Sequence, residues 1–214
     1  MLLDQVQNQL EFIYGIGVPE RAEKFLIGKT EALELLQNDE KIPKELLLVR
    51  QPADETVEVA LFLDTKLLHN LNENDPFVSL NENNLNDFCI LIEGISHFVY
   101  FLWKAHNQHQ ITQLELELQA EIDKYLMLLF YSKTNDEESL LTHVFDALFE
   151  QFSLLESLSA ENRERYMTAS NLAMRYCHRL QNQWKKNHNM PGILNEVRRF
   201  YHFTQEEKIR HITL

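Results

Sequence analysis

The sequence predicts a mainly α protein of α+β type. Its multi-helix body is built around an antiparallel helical hairpin, with a small antiparallel β-hairpin or three-stranded sheet near the N-terminus. Three observations predict this. Two long stretches between Asn84 and Tyr131 carry apolar residues at helical spacing and are separated by a short polar turn. The 214 residues contain only five glycines, few for a chain rich in loops and turns. One segment, near residues 45–63, reads as two strands, a continuous apolar run followed after a turn by a stretch that alternates at first.

The elements follow in order. Leu2 to Ile13 forms a short amphipathic helix ending near Gly15 and Gly17. Phe25-Leu26-Ile27 is a short apolar run suited to a strand, and Thr30 to Gln37 reads as helix, closed by Asn38-Asp39-Glu40 and Pro43. Residues 45–51 form an apolar strand, Pro52 to Glu55 a turn, and Thr56 to Leu63 a second strand with Val57, Val59, Leu61 and Leu63 on one face. Two strands alone are marginal in water, so a third strand at Phe25–Ile27 or packing against helices must support them. Asp64-Thr65 caps a short helix, and a loop rich in Asn and Glu leads to Asn84.

The first helix of the central hairpin is apolar around most of its circumference, which marks it as the centre of its domain. Phe88, Leu91, Ile92, Ile95, Phe98, Val99 and Leu102 fill one arc; Asn86, Glu93, His97, Tyr100 and Lys104 leave a narrow polar strip. Gly94 lies beside that strip. A mid-helix glycine costs about 1 kcal/mol relative to alanine, and close approach of another backbone would explain it. The second helix opens with Thr112 and Glu115 at capping-box spacing. Leu114, Leu118, Ile122, Tyr125 and Leu129 form its apolar face, flanked by Glu117, Glu121 and Lys124. A short turn forces the two helices antiparallel, so these carboxylates can face Glu93 and His97.

Beyond the hairpin, Ser139 to Ser157 and Ala160 to about Lys186 are helical by periodicity. Asn187 to Gly192 breaks the chain, Ile193 to His202 is helix, and Thr204 with Glu207 opens a last short helix. Residues 1–83 make an N-terminal α+β portion and 84–214 a helical body, expected to fold together as one compact domain.

Charge is unevenly spread. The net −13 divides into −9 over residues 1–83, −9 over 84–158 and +5 over 159–214. Arg175, Arg179 and Lys186 form one stripe, and Arg198 and Arg199 follow, as candidate contacts for a partner protein. The acidic balance of the whole chain argues against nucleic acid. Phosphate-binding glycine loops and nucleophile elbows are absent. Cys89 and Cys177, both in apolar helical patterns, read as free thiols of a reducing compartment. The first residues lack the features of a secretory signal. No run approaches eighteen uninterrupted apolar residues, and the Phe98–Trp103 cluster is broken by Lys104. These features predict a cytoplasmic protein without a transmembrane segment.

The expected function is a non-enzymatic adaptor or regulatory protein acting through contacts with another protein, with no cofactor and no assignable catalytic residue. The alternative is a metal-dependent or acid–base enzyme using Glu93, His97, Glu117 and Glu121. Histidine and carboxylates on facing helices suit such centres, although a full ligand set is not legible. The competing reading is a polar seam neutralised by Lys124 or Lys104. A third reading is binding of nucleic acid or an anionic membrane through the basic C-terminal face, with Phe200, Tyr201, His202 and Phe203 stacking on bases. His106 and His109, three residues apart, lack the further ligands a zinc site needs.

Overall fold

The computed structural model describes residues 2–36, 42–51, 57–134, 145–146, 148–149 and 160–214. Among them are eight α-helices and a three-stranded mixed sheet. The helix expected over 139–157 and the strand-connecting turn Pro52–Glu55 lie outside the described residues, apart from four positions. Of those four, Phe145 and Phe149 are buried.

Helix α1 (Leu2–Tyr14) buries Leu3, Val6, Leu10 and Ile13 on one face. It ends at Gly15, whose φ of +66° favours glycine. Arg198 then caps it from far along the chain, donating from Nε to the Ile13 carbonyl (3.0 Å) and from Nη2 to that of Phe12 (2.9 Å). A guanidinium at free C-terminal carbonyls satisfies acceptors and complements the helix dipole. A single 3-10 turn (Ala22–Phe25) leads into β1 (Leu26–Ile27) and α2 (Lys29–Leu36).

Strands β2 (Glu45–Arg50) and β3 (Glu58–Leu63) pair antiparallel, with Leu47 opposite Leu61 and Glu45 opposite Leu63. β1 adds to the other edge of β3 in parallel, so the sheet order is β1-β3-β2. The sheet is therefore three-stranded and mixed. As its central strand, β3 buries consecutive residues Leu61, Phe62 and Leu63, where strict alternation predicts only one buried face.

Asp64 caps α3 (Thr65–Glu73) by accepting from the Lys66 amide at 2.8 Å. The long hairpin follows as α4 (Leu85–His106) and α5 (Gln113–Thr134). α4 lies at the centre: it packs on α5, α1, α3 and the sheet, while α5 packs against both α4 and α6 (Ala160–Asn187). α4 is the one helix among the described residues long and apolar enough to cross a membrane, yet 72% of its most apolar window is buried inside the chain. Its length and apolar character are accounted for by that central position.

The chain closes with α7 (Met190–Tyr201) and α8 (Gln205–Thr213). α7 begins three residues before the expected start. Asn189 accepts from the Gly192 amide, and Pro191 sits in the first turn, where its missing N–H costs nothing. The same Pro-Gly pair thus starts a helix where it was expected to separate two. Thr204 and Glu207 form the expected capping box of α8. The hydrophobic core is continuous from Leu3 to Ile212 and includes Phe98, Tyr125, Tyr176 and Phe200.

Gly94 is explained by side chains rather than by a neighbouring backbone. A Cβ there would lie 3.0 Å from Leu63 Cδ2 and 3.2 Å from Glu45 Oε2. The absence of a side chain is what lets β2 and β3 seat on α4. Replacing a helical glycine by alanine gains about 1 kcal/mol, but forcing a methyl into a packed core costs about 1–3 kcal/mol. Gly94→Ala is therefore expected to destabilise by roughly 1 kcal/mol, read as a lower urea midpoint.

Candidate metal centre

The i, i+4 spacing of Glu93 and His97 stacks them on one face of α4. Glu117, Glu121 and Lys124 do the same on α5 at i, i+4 and i+7. Because the helices run antiparallel, the side chains meet as two rungs. In the first, Lys124 Nζ lies 3.0 Å from Glu93 Oε2 and 2.7 Å from Glu121 Oε1. In the second, His97 Nε2 lies 3.6 Å from Glu117 Oε2. The sequence-predicted residues are thus brought together. Lys124, not Lys104, is the lysine that joins them.

The structure adds three residues that sequence reasoning missed. Glu45 reaches in from β2, placing Oε2 3.6 Å from His97 Nδ1. Its position follows from the strand register: opposite Leu63, it shares the sheet face that packs over Gly94. From α6, Arg165 Nη2 lies 4.0 Å from Glu117 Oε1. Burial pushes the Tyr166 hydroxyl pKa up, and the nearby Glu117 carboxylate adds to the effect. Glu45 opens a strand and Arg165 lies in a mixed-charge stretch of a helix, so neither stands out without the tertiary packing.

His97 sits between two carboxylates, but at 3.6 Å from each it is an ion-pair partner and not a hydrogen-bonding one. Its Nε2 is buried without a hydrogen-bond partner, as are Glu45 Oε2 and Glu121 Oε2. Burial alone would lower the imidazole pKa; Glu45 and Glu117 outweigh it and hold His97 well above its usual range. Burial pushes the Glu45 and Glu121 carboxyls up. Glu93 is held down, because Lys124 and His97 overcome its own burial. Four carboxylates therefore converge on two permanent cations, Lys124 and Arg165, and one titratable imidazole. Glu93, His97 and Glu117 can each offer one ligand atom, and those atoms all lie within 4.8 Å of one another. One imidazole and two carboxylates form a donor set suited to a divalent transition ion.

A second buried polar network lies farther along the hairpin. Glu115 accepts from Lys104 Nζ at 2.7 Å and from the Tyr100 hydroxyl at 2.5 Å. This is half the expected capping box: Thr112 Oγ1 accepts from the Glu115 amide at 3.1 Å, while Lys104 draws the Glu115 carboxylate inward. Lys208, on α8, donates to the Tyr100 hydroxyl and to Gln119 Oε1, both at 2.7 Å. Gln119 continues to Tyr14 and Asp123, and Ser96 donates to Asp123 at 2.5 Å. Burial lowers the Lys208 pKa to about 7, with Lys104 adding to the effect, and burial raises Asp123 to about 6.

Three of the five basic candidates are used within the chain. Arg179 donates to the His211 carbonyl (2.9 Å), Arg199 pairs with Glu196 (2.8 Å), and Arg198 caps α1. Arg175 and Lys186 are exposed. Phe200 and Tyr201 are buried, Tyr201 stacking on Tyr14 at 3.9 Å between ring centroids. His106 pairs with Glu20 at 2.9 Å, whereas His109 lies near the Trp103 ring. Cys89 and Cys177 are free thiols, and burial pushes Cys89 up to about 12. No protein family, curated protein or solved structure matches the chain.

Proposed function

We propose that this chain is a metal-dependent protein whose chemistry runs through a divalent cation held by Glu93, His97 and Glu117, with Glu45 beside it. One observation carries the reading: three ligand atoms within 4.8 Å of one another on facing helices, one of them from a histidine whose Nε2 is buried with no hydrogen-bond partner. Buried charge clusters are costly unless compensated, and a divalent ion that displaces the His97 proton adds one net positive charge to those of Lys124 and Arg165. Three protein ligands leave coordination positions for water or a substrate, the arrangement of catalytic rather than structural ions. Glu93 retains some exposure and marks the side from which solvent reaches the centre. The two free thiols support a reducing, cytoplasmic setting.

The adaptor role is the second reading, favoured by exposed Arg175 and Lys186 on α6. It carries less because Arg179, Arg198 and Arg199 already hold partners within the chain. The same engagement weakens the nucleic-acid and membrane-surface reading.

Titration of metal-depleted protein with Mn(II), Fe(II), Co(II) and Zn(II) tests the proposal. At least one ion is expected to bind at one equivalent, with release of a proton as His97 becomes a ligand. If all four fail to bind stoichiometrically to folded protein, the reading is lost.

A further inference from the structure

We infer that Lys124 occupies the second of two cation positions in this centre, so that the protein takes one divalent ion and its own ammonium stands in for another. The inference rests on the metal reading above and assigns the division of labour within it. Glu93 is shared between the two rungs. One of its oxygens accepts from Lys124 at 3.0 Å, and its carboxylate also belongs to the ligand group with His97 and Glu117. Glu121 belongs to the lysine rung alone: Oε1 accepts from Nζ at 2.7 Å, and Oε2 is buried without a hydrogen-bond partner. The lysine side chain is 9% exposed. Its charge is therefore held between two carboxylates in a little-hydrated place, where such a pair interacts far more strongly than at the surface.

The arrangement is what two adjacent cations sharing a bridging carboxylate require, with one cation supplied by the protein. A lysine ammonium carries a single charge and offers no open coordination position. It neutralises Glu93 and Glu121 without drawing in a second ion, and it leaves the Glu93–His97–Glu117 group as the metal position. Lys124 is a positioning residue here: it orients Glu93 for the ion and keeps Glu121 away from it. Removing the ammonium leaves two mostly buried carboxylates facing one another, with the free Glu121 oxygen available as a further ligand atom.

The test uses Mn(II) and two variants of the full chain, with folding checked by circular dichroism. Lys124→Met keeps most of the unbranched apolar stem but ends one atom short of the ammonium position, which it leaves empty of charge; bound Mn(II) is expected to rise from one equivalent to two, with spin-coupled broadening of the Mn(II) resonance signal. Glu121→Gln still offers an acceptor to Lys124 and should keep one equivalent, with a Kd within about threefold of wild type. A single equivalent in folded Lys124→Met, or loss of the ion in Glu121→Gln, overturns the inference. If Lys124→Met does not fold, Glu121→Gln decides alone. Absence of Mn(II), Fe(II), Co(II) and Zn(II) from the wild type is a different result, because it removes the metal reading itself.

Discussion

His97→Ala is expected to weaken divalent-ion binding by about 100-fold or more. Removing groups that merely orient a ligand costs about 10- to 100-fold, and His97 is the only imidazole in the ligand group. The effect is read most cleanly as stabilisation by the ion. At an ion concentration about 1,000 times the wild-type Kd, binding adds about 4 kcal/mol. For a chain of this size that is a rise in Tm of roughly 8–16 °C. At the same concentration a 100-fold weaker site retains only about 1.4 kcal/mol, near a third of the increment. The ion-dependent increment is the proper readout. The metal-free variant is itself weakened, because Glu45 and Glu117 lose the imidazole between them. An equal increment in wild type and His97→Ala would place the ion elsewhere and exclude this centre.

The part of the centre contributed by the hairpin was legible in the sequence, for a simple reason. Both α4 and α5 are long, strongly periodic helices joined by a short turn, so face and direction follow from spacing alone. Glu93 and His97 had to face Glu117 and Glu121. What spacing could not give is anything that arrives across a non-local contact. Glu45 comes from a strand whose register is set by pairing with β3, and its approach depends on the missing side chain at Gly94. Gly94 stood out as a mid-helix glycine, but what fills its space did not.

The charge asymmetry was legible as well, but its meaning was not. A basic C-terminal quarter on an acidic chain suggests an external partner as readily as an internal one. Arg198 resolves this locally: its guanidinium caps α1, 185 residues from the Ile13 carbonyl it binds. Lys104 was misplaced for a similar reason. On a helical wheel it belongs to the same strip as Glu93 and His97, yet it lies two to three turns farther along and meets Glu115. A wheel preserves angle and discards height, so one strip held two separate networks.

The second of those networks carries the other large effect. Glu115→Ala is expected to destabilise the protein by about 3–5 kcal/mol at neutral pH, because Lys104 would remain buried without its carboxylate. Lys208 makes the same network sensitive to pH, and the sign is fixed. Its pKa is lowered to about 7 in the folded chain by burial and by Lys104, against about 10.4 when unfolded. Between those values the unfolded chain binds the extra proton, so stability rises with pH. Its contribution is fully present above the unfolded value and is lost as pH falls through the folded one. The slope approaches 1.36 kcal/mol per pH unit for one proton, or roughly 3 kcal/mol between about pH 7 and about pH 9.5. His97, whose pKa is raised, acts in the opposite direction above its unfolded value, so wild type alone is ambiguous. Comparison with Lys208→Met cancels that contribution. The methionine leaves Tyr100 and Gln119 without their donor at every pH, a constant offset, and takes away the one group whose titration is compared. Urea unfolding across this range should therefore show wild type gaining on Lys208→Met as pH rises. A difference that stays flat would mean that Lys208 remains charged when buried, held by Glu115 and Asp123, and that α8 docks through a permanent ion pair rather than a titrating amine.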